Sequence, residues 1–226
     1  MENVIKFMYN GYEATVIRPE NPNGKWVWKT EFLYAFDGAE RELCSRGYTR
    51  VYYSISNKYG SYHAVRLMHE FQKHVVKEFG LEEKCMLFGF SRGGLYAFNY
   101  ALFYPECVEK IYLDAPVLDM RTWPEEGSPN REQVYDEYNL TPETIKTFKG
   151  HPVENFREFF AHSIPLLLVA GAADEIVPYE ANSGRMLDFC AANGISITSY
   201  VKPECKHHPH SLDDPAPIVD FIVGGN

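Results

Sequence analysis

The 226-residue sequence predicts an α/β fold, a mainly parallel sheet covered by helices on both faces. Three observations predict it. Short β-like runs alternate with longer stretches of helical periodicity. Several of the β-like runs, 85–88 and 166–170 among them, are continuously apolar, as strands buried on both faces are. The length suits one domain (1–226) with a sizeable core, and no internal repeat, low-complexity tract or block of like charge divides it.

In chain order, Asn10-Gly11 between the runs 5–9 and 12–17 reads as a hairpin around a tight turn. Trp26-Val27-Trp28 is the next strand, 37–46 a helix and 50–54 a strand. Over 62–79, Val65, Met68, Phe71, Val75, Val76 and Phe79 recur at helical spacing and give a long helix one apolar face. The run 85–88 is a strand ending in glycine, and 94–104 a helix that Pro105 closes. Ile111-Tyr112-Leu113 and 166–170 are buried strands. A helix over 179–192, a strand over 195–201 and a last helix near 216–223 complete the pattern. Residues 120–163 break it, with Trp, Pro, Gly and Asn punctuation, short helical patches and no convincing strand. Lying between two core strands, they predict a small helical cap over the carboxyl edge of the sheet, where open α/β sheets bind ligands. Trp123, Tyr135, Tyr138 and Phe148 are then available to line an acyl or sugar site.

With 22 basic and 31 acidic residues the chain carries −9, so no basic surplus exists to neutralise nucleic-acid or anionic-lipid phosphates. Cys44, Cys85, Cys107, Cys190 and Cys205 show neither CxxC spacing nor disulfide-like density and read as free thiols of a reducing compartment. The start, Met1-Glu2-Asn3-Val4-Ile5-Lys6, lacks a signal-peptide pattern, and no apolar run approaches the ~18 residues of a spanning helix. A cytoplasmic location is expected, with no membrane partner. Oligomeric state leaves no mark in the sequence.

The most informative residues are Gly89-Phe90-Ser91-Arg92-Gly93-Gly94, which contain G-x-S-x-G. A serine on a sharp strand-to-helix turn needs small neighbours two positions either side, because a Cβ there would strike the adjacent strand or helix. The turn presents Oγ beside backbone N–H groups at the helix N-terminus, ready donors for an oxyanion. An apolar strand leads in and a long helix leads out, the context that makes the motif meaningful.

A serine hydroxyl needs a histidine to take its proton, and the histidine a carboxylate to fix its tautomer. In this motif's fold the order is serine, acid, histidine. Downstream of Ser91, the strand 165–170 ends in Gly171-Ala172-Ala173-Asp174, and after the strand 195–201 comes Lys206-His207-His208-Pro209-His210. Asp114 and Asp119, after the strand that follows the serine's helix, are alternative acids behind Asp174. Cys205, His207, His208 and His210 are metal ligands by type, but close neighbours in one short loop are not expected to converge on an ion, and no metal is assigned. His63, His69, His74, His151 and His162 are scattered and read as structural or solvated.

The sequence resembles the α/β-hydrolase superfamily, in particular its small esterase-like and prolyl-oligopeptidase-like serine hydrolases. The elbow GFSRGG, the acid turn AGAADEIVP and a histidine loop before the last helix carry the likeness over nearly the whole chain. The resemblance implies Ser91 as nucleophile, His207 as base and Asp174 as its orienting acid. It implies oxyanion donors at the N–H groups of Arg92 and of Thr30, in the loop after the first parallel strand. Two departures stand out: Trp28-Lys29-Thr30 replaces the common His-Gly there, and Lys206 stands where glycine usually precedes the histidine. For the base, Pro209 biases His208 towards an extended conformation, so His207 and His208 should point to different sides; His210 would brace the loop. The expected activity is hydrolysis of a small-molecule carboxylic ester through an acyl-enzyme, with no cofactor. The alternatives are a serine peptidase of the same fold, for which the chain is too short to carry a gating domain, and a non-catalytic binding protein.

Overall fold

The computed structural model describes residues 3–224. Among the described residues, eight strands form one sheet in the order β1-β2-β4-β3-β5-β6-β7-β8. The strands β1 (Asn3–Tyr9) and β2 (Tyr12–Arg18) form the expected hairpin, with Tyr9 opposite Tyr12 and both turn residues, Asn10 and Gly11, at positive φ. The strand β2 pairs antiparallel with β4 (Thr49–Tyr53); from there β3 (Trp26–Lys29), β5 (Cys85–Phe90), β6 (Val108–Asp114), β7 (Leu166–Gly171) and β8 (Thr198–Lys202) are all parallel. The middle strands β3, β5 and β7 are buried at every position, which is why their sequences run apolar without alternation.

Helices cover both faces. On one, α2 (Tyr62–Phe79) and α3 (Gly93–Phe103) bury Val65, Met68, Phe71, Phe98 and Ala101 against Trp28, Leu87 and Ile111. On the other, α1 (Gly38–Ser45) and α7 (Ala216–Val223) bury Ala39, Leu43, Ile218 and Ile222 against Phe88, Tyr112 and Leu167. Ser61 starts α2 by accepting from the N–H of Ala64 at 3.1 Å, and Gly80, at φ +64, ends it.

Two elements differ from expectation. The helix expected over 179–192 begins only at Ser183, as α6 (Ser183–Asn193), after a short 3-10 turn at Tyr179–Ala181. The break is Asn182, fully buried, whose Oδ1 accepts from the N–H groups of Leu118 and Asp119 at 2.8 Å each and whose amide donates to Pro178 O. A side chain spent on distant backbone holds its residue out of the helix. The strand expected over 195–201 starts later, at Thr198, and is an exposed edge strand.

Residues 120–163 hold α4 (Pro129–Tyr138), α5 (Phe156–Ala161), short 3-10 turns and no strand. Val153, Phe156 and Phe159 belong to the main core, Phe98 and Phe159 stacking at 4.3 Å, and Val134, Tyr135 and Ile145 form a satellite cluster with Tyr59, Leu95 and Val177. Glu137 accepts from Lys58 and Ser61, tying α4 to the turn before α2. Among the described residues no helix is long and apolar enough to cross a membrane.

Candidate active site

Ser91 sits between β5 and α3 with φ +51, the left-handed region that an L-residue enters only under constraint. Its neighbours show the constraint directly. A Cβ on Gly89 would lie 2.8 Å from Ala97 Cβ and 2.9 Å from Gly93 O. On Gly93 it would lie 2.9 Å from Thr30 Oγ1, and on Gly94, 2.4 Å from Pro116 Cβ. The turn is pinned by Ser91 N–H donating to Asp114 O and by Ser91 O accepting from Val117 N–H, both at 2.9 Å.

The structure brings Ser91, His207 and Asp174 together. His207 Nε2 lies 2.9 Å from Ser91 Oγ and His207 Nδ1 lies 2.7 Å from Asp174 Oδ2. Asp174 Oδ1 accepts from the N–H groups of Ile176 and Val177 at 2.9 Å each, so the carboxylate is fully hydrogen-bonded. All three side chains are buried, which excludes competing water from the chain of bonds. With Nδ1–H given to Asp174, Nε2 is left to accept from the Ser91 hydroxyl. That arrangement is what proton abstraction from Oγ requires.

Arg92 occupies the N-cap of α3, so its N–H belongs to the first turn, whose donors have no intrahelical partner. Its guanidinium donates to Glu31 Oε2 at 3.1 Å and lies over the Phe32 ring. Burial pushes the Glu31 carboxyl above its ordinary value, against the pull of Arg92 and Ser56. The expectation for Thr30 is corrected. Its N–H donates to Phe88 O at 3.0 Å, continuing the sheet beyond Lys29, and its hydroxyl donates to Gly93 O at 2.9 Å and Phe88 O at 3.1 Å. Thr30 clamps the strand end to the elbow and has no N–H to spare. Glu31 and Phe32 come next; neither N–H makes a hydrogen bond within the described residues, and Glu31 N lies 3.5 Å from where a Gly93 Cβ would sit.

A cavity of about 190 Å³ opens beside Ser91, lined by Phe32, Ala35, Phe36, Phe90 and the histidines 207, 208 and 210. None of Trp123, Tyr135, Tyr138 or Phe148 lines it. Trp123 instead borders a separate hollow with Glu175 and Ile176, while Tyr138 and Phe148 line another, near Tyr62 and Phe103. The sequence carries one signal for the 32–36 segment, three aromatics in five residues shortly after a strand. The segment is held from beneath by Lys29, whose Nζ donates to Ala35 O at 2.5 Å and pairs with Glu40 at 2.5 Å, both side chains being buried.

A second histidine–carboxylate pair lies alongside. His210 Nδ1 is 2.7 Å from Asp114 Oδ1, and Asp114 Oδ2 accepts from Tyr112 Oη at 2.6 Å and Ser211 N–H at 2.7 Å. Asp114 therefore serves His210 and not His207, and Asp119 is engaged by Arg121. His208 is exposed and stacks on Phe36. Burial first, then the adjacent His210 and His207, holds its imidazole below the ordinary value. Contrary to the expectation that these neighbours diverge, one ring nitrogen from each of His207, His208 and His210 lies within 4.8 Å of the others. Cys205 stands apart from them, its Sγ 3.7 Å from the carbonyls of His208 and Pro209.

Comparison with solved structures gives the same architecture at low sequence identity. Acylaminoacyl peptidase of Pyrococcus horikoshii matches 92% of this chain and 37% of its own, at 14% identity and TM-score 0.68. A puromycin-hydrolyzing peptidase of Mycobacterium tuberculosis matches 96% and 37%, at 14% and 0.70. The fluorophosphonate-binding serine hydrolase F of Staphylococcus aureus matches 98% and 95%, at 15% and 0.71. The chain thus spans little more than a third of the first two and nearly the whole of the third. No curated protein matches the sequence. The fold is that of the α/β-hydrolases. The family model of the prolyl oligopeptidases matches residues 44–222, from the end of α1 into α7, and on that match over most of its length the chain belongs to the prolyl oligopeptidase family of serine hydrolases.

Proposed function

We propose that the protein hydrolyses a small carboxylic ester through an acyl-enzyme on Ser91. The observation that carries the reading is the unbroken line of hydrogen bonds Ser91 Oγ, His207 Nε2, His207 Nδ1 and Asp174 Oδ2, at 2.9 and 2.7 Å, ending at a cavity. His207 takes the Oγ proton as Ser91 attacks the carbonyl carbon, and Asp174 holds the Nδ1–H tautomer and stabilises the imidazolium. The oxyanion is held by the N–H of Arg92 and by that of Glu31 or Phe32. His207 then protonates the leaving alcohol, and a water activated by the same Nε2 releases the acid. The cavity's volume of about 190 Å³, its three phenylalanines and its lack of any Lys, Arg, Asp or Glu suit a short, uncharged group.

Peptide cleavage is the second reading, favoured by the family and by two neighbours described as peptidases. p-Nitrophenyl esters of rising acyl length, run beside aminoacyl p-nitroanilides, separate the two. The ester reading expects turnover that falls as the acyl chain outgrows the cavity and little on the anilides. Higher kcat/KM on an aminoacyl anilide than on any ester reverses the assignment. Failure of a fluorophosphonate probe to label Ser91 would return the protein to the binding class.

A further inference from the structure

We propose that His207, His208 and His210 form a capture site for a divalent transition cation of the zinc type, and that its occupation blocks the hydrolase. The blocking half rests on the catalytic role proposed for Ser91 and His207; the binding half does not.

Acyl transfer needs one histidine, yet three meet here. Their ring centroids are 4.9, 4.9 and 4.8 Å apart, and one nitrogen of each lies within 4.8 Å of the others. Zinc bound tetrahedrally to imidazole at 2.0–2.1 Å sets its nitrogens about 3.3 Å apart. The nitrogens must therefore close by roughly 1.5 Å at most, by rotation of the exposed His208 ring, on the timescale of surface side chains, together with tilting of the His207 and His210 rings about their bonds to Asp174 and Asp114.

The supporting residues argue further than the distances. A metal-binding histidine nearly always donates its other ring N–H to a carboxylate or carbonyl, which fixes the tautomer and aims the lone pair. Two of the three are already so held, His207 Nδ1 on Asp174 and His210 Nδ1 on Asp114, each at 2.7 Å. Asp114 takes two further donors, Tyr112 Oη and Ser211 N–H, so His210 is braced as firmly as His207 though, among the described residues, it bonds no serine hydroxyl. His210 Nε2 and both nitrogens of His208 make no hydrogen bond within the described residues. The one existing bond a cation must displace is that from Ser91 Oγ to His207 Nε2. Ser91 Oγ or a water from the cavity completes four-coordination. An all-imidazole donor set suits Zn²⁺, Cu²⁺ or Ni²⁺ and disfavours Mg²⁺ and Ca²⁺, which take oxygen ligands. With its Nε2 lone pair on the metal, His207 has none for the Ser91 proton. Turnover stops without any covalent change and returns when a chelator removes the ion.

Binding is read on chelator-treated Ser91→Ala protein, which holds the histidines but carries out no acyl transfer. Zn²⁺ is titrated by calorimetry, and Co²⁺ by the visible absorption of a tetrahedral centre. One equivalent is expected. His208→Ala, an exposed position that leaves the core untouched, should weaken binding ~10- to 100-fold, and Asp114→Asn, which keeps all three rings but spoils the tautomer of His210, should do the same. His162→Ala, outside the cluster, should change nothing. In protein with Ser91 intact, Zn²⁺ should abolish ester turnover reversibly, and His208→Ala should raise the inhibitory concentration in step with its loss of affinity. Absent or non-saturating binding, binding indifferent to both His208→Ala and Asp114→Asn, or stimulation of turnover by Zn²⁺ overturns the proposal. If binding fails while Ser91 still turns over esters, only this inference falls. If one equivalent binds but no hydrolysis is found at Ser91, the hydrolase reading falls and the site stands.

Discussion

Gly171 closes β7 three residues before Asp174, and its missing side chain faces the backbone that leads into His207. A Cβ built there would lie 2.3 Å from the carbonyl oxygens of both Cys205 and Lys206. These are main-chain atoms, tied to the same turn by Ala172 N–H on Lys202 O and Ala173 N–H on Cys205 O, each at 3.0 Å, so the whole 202–206 segment has to move. Restoring ordinary van der Waals separation needs a displacement of roughly 1 Å. The Ser91–His207 bond of 2.9 Å has no such slack. Gly171→Ala should therefore lower kcat/KM by about 10²-fold, the usual penalty for ångström misplacement of a catalytic group. Overpacking should cost about 1–3 kcal/mol, a fall in Tm of roughly 2–12 °C for a chain of this length. Gly194→Ala is the control. Gly194 lies at φ +64 with nothing within 4 Å of where a Cβ would sit, so it should lose about 1 kcal/mol through backbone strain and leave kcat/KM untouched. The assays are p-nitrophenyl acetate kinetics and a thermal melt on each variant. A Gly171→Ala protein with unchanged kcat/KM would refute the coupling of this turn to His207.

Other substitutions test other parts of the site. Because Ser91 sits at φ +51, Ser91→Gly should be more stable than Ser91→Ala by about 1 kcal/mol in thermal melts, and both should be inactive; equal melting points would deny the strain. Lys29→Met strands the buried Glu40 carboxylate and should lower urea-unfolding stability by about 3–5 kcal/mol, while adding Glu40→Met should recover most of it; a double variant as unstable as the single would exclude an ion-pair origin. Burial alone would raise the Asp119 carboxyl, but the fork of bonds from Arg121 outweighs it and holds the group below its ordinary value. A carboxylate so lowered contributes stability above its unfolded value, lost as pH falls through the lower folded one. The Tm gap between the native protein and Asp119→Asn should therefore be widest near neutrality and shrink below about pH 4; a gap independent of pH would contradict this.

The parts of this molecule legible in the sequence are those fixed locally. The elbow is one: the glycine spacing around Ser91 is a short motif, and the collision that requires Gly89 is with Ala97 and Gly93 a few residues on, although the one that requires Gly93 is with the distant Thr30. The hairpin at Asn10-Gly11 and the apolar face of α2 are others, each set by a turn type or a periodicity. What could not be read depends on long-range register. Thr30 fails as an oxyanion donor because β3 pairs with β5, Lys29 opposite Phe88, and the next N–H along continues that ladder. The helix before Ser183 is interrupted by bonds from Asn182 to backbone more than sixty positions away. The pairing of His210 with Asp114 spans 96 positions. The 32–36 wall of the cavity has no period of its own and takes its course from the buried Lys29, a residue type that sequence reasoning places on the surface.

Covalent chemistry at one oxygen atom is the central claim, and trapping that intermediate tests it most directly. The protein is mixed with an aryl ester of a hindered acid, which acylates faster than it deacylates, then quenched in acid, digested and mapped by mass. A single acyl group is expected on the peptide bearing Ser91, absent from Ser91→Ala and strongly reduced in His207→Ala. An acyl group on any other residue, or ester turnover by Ser91→Ala at the unsubstituted rate, would contradict the claim.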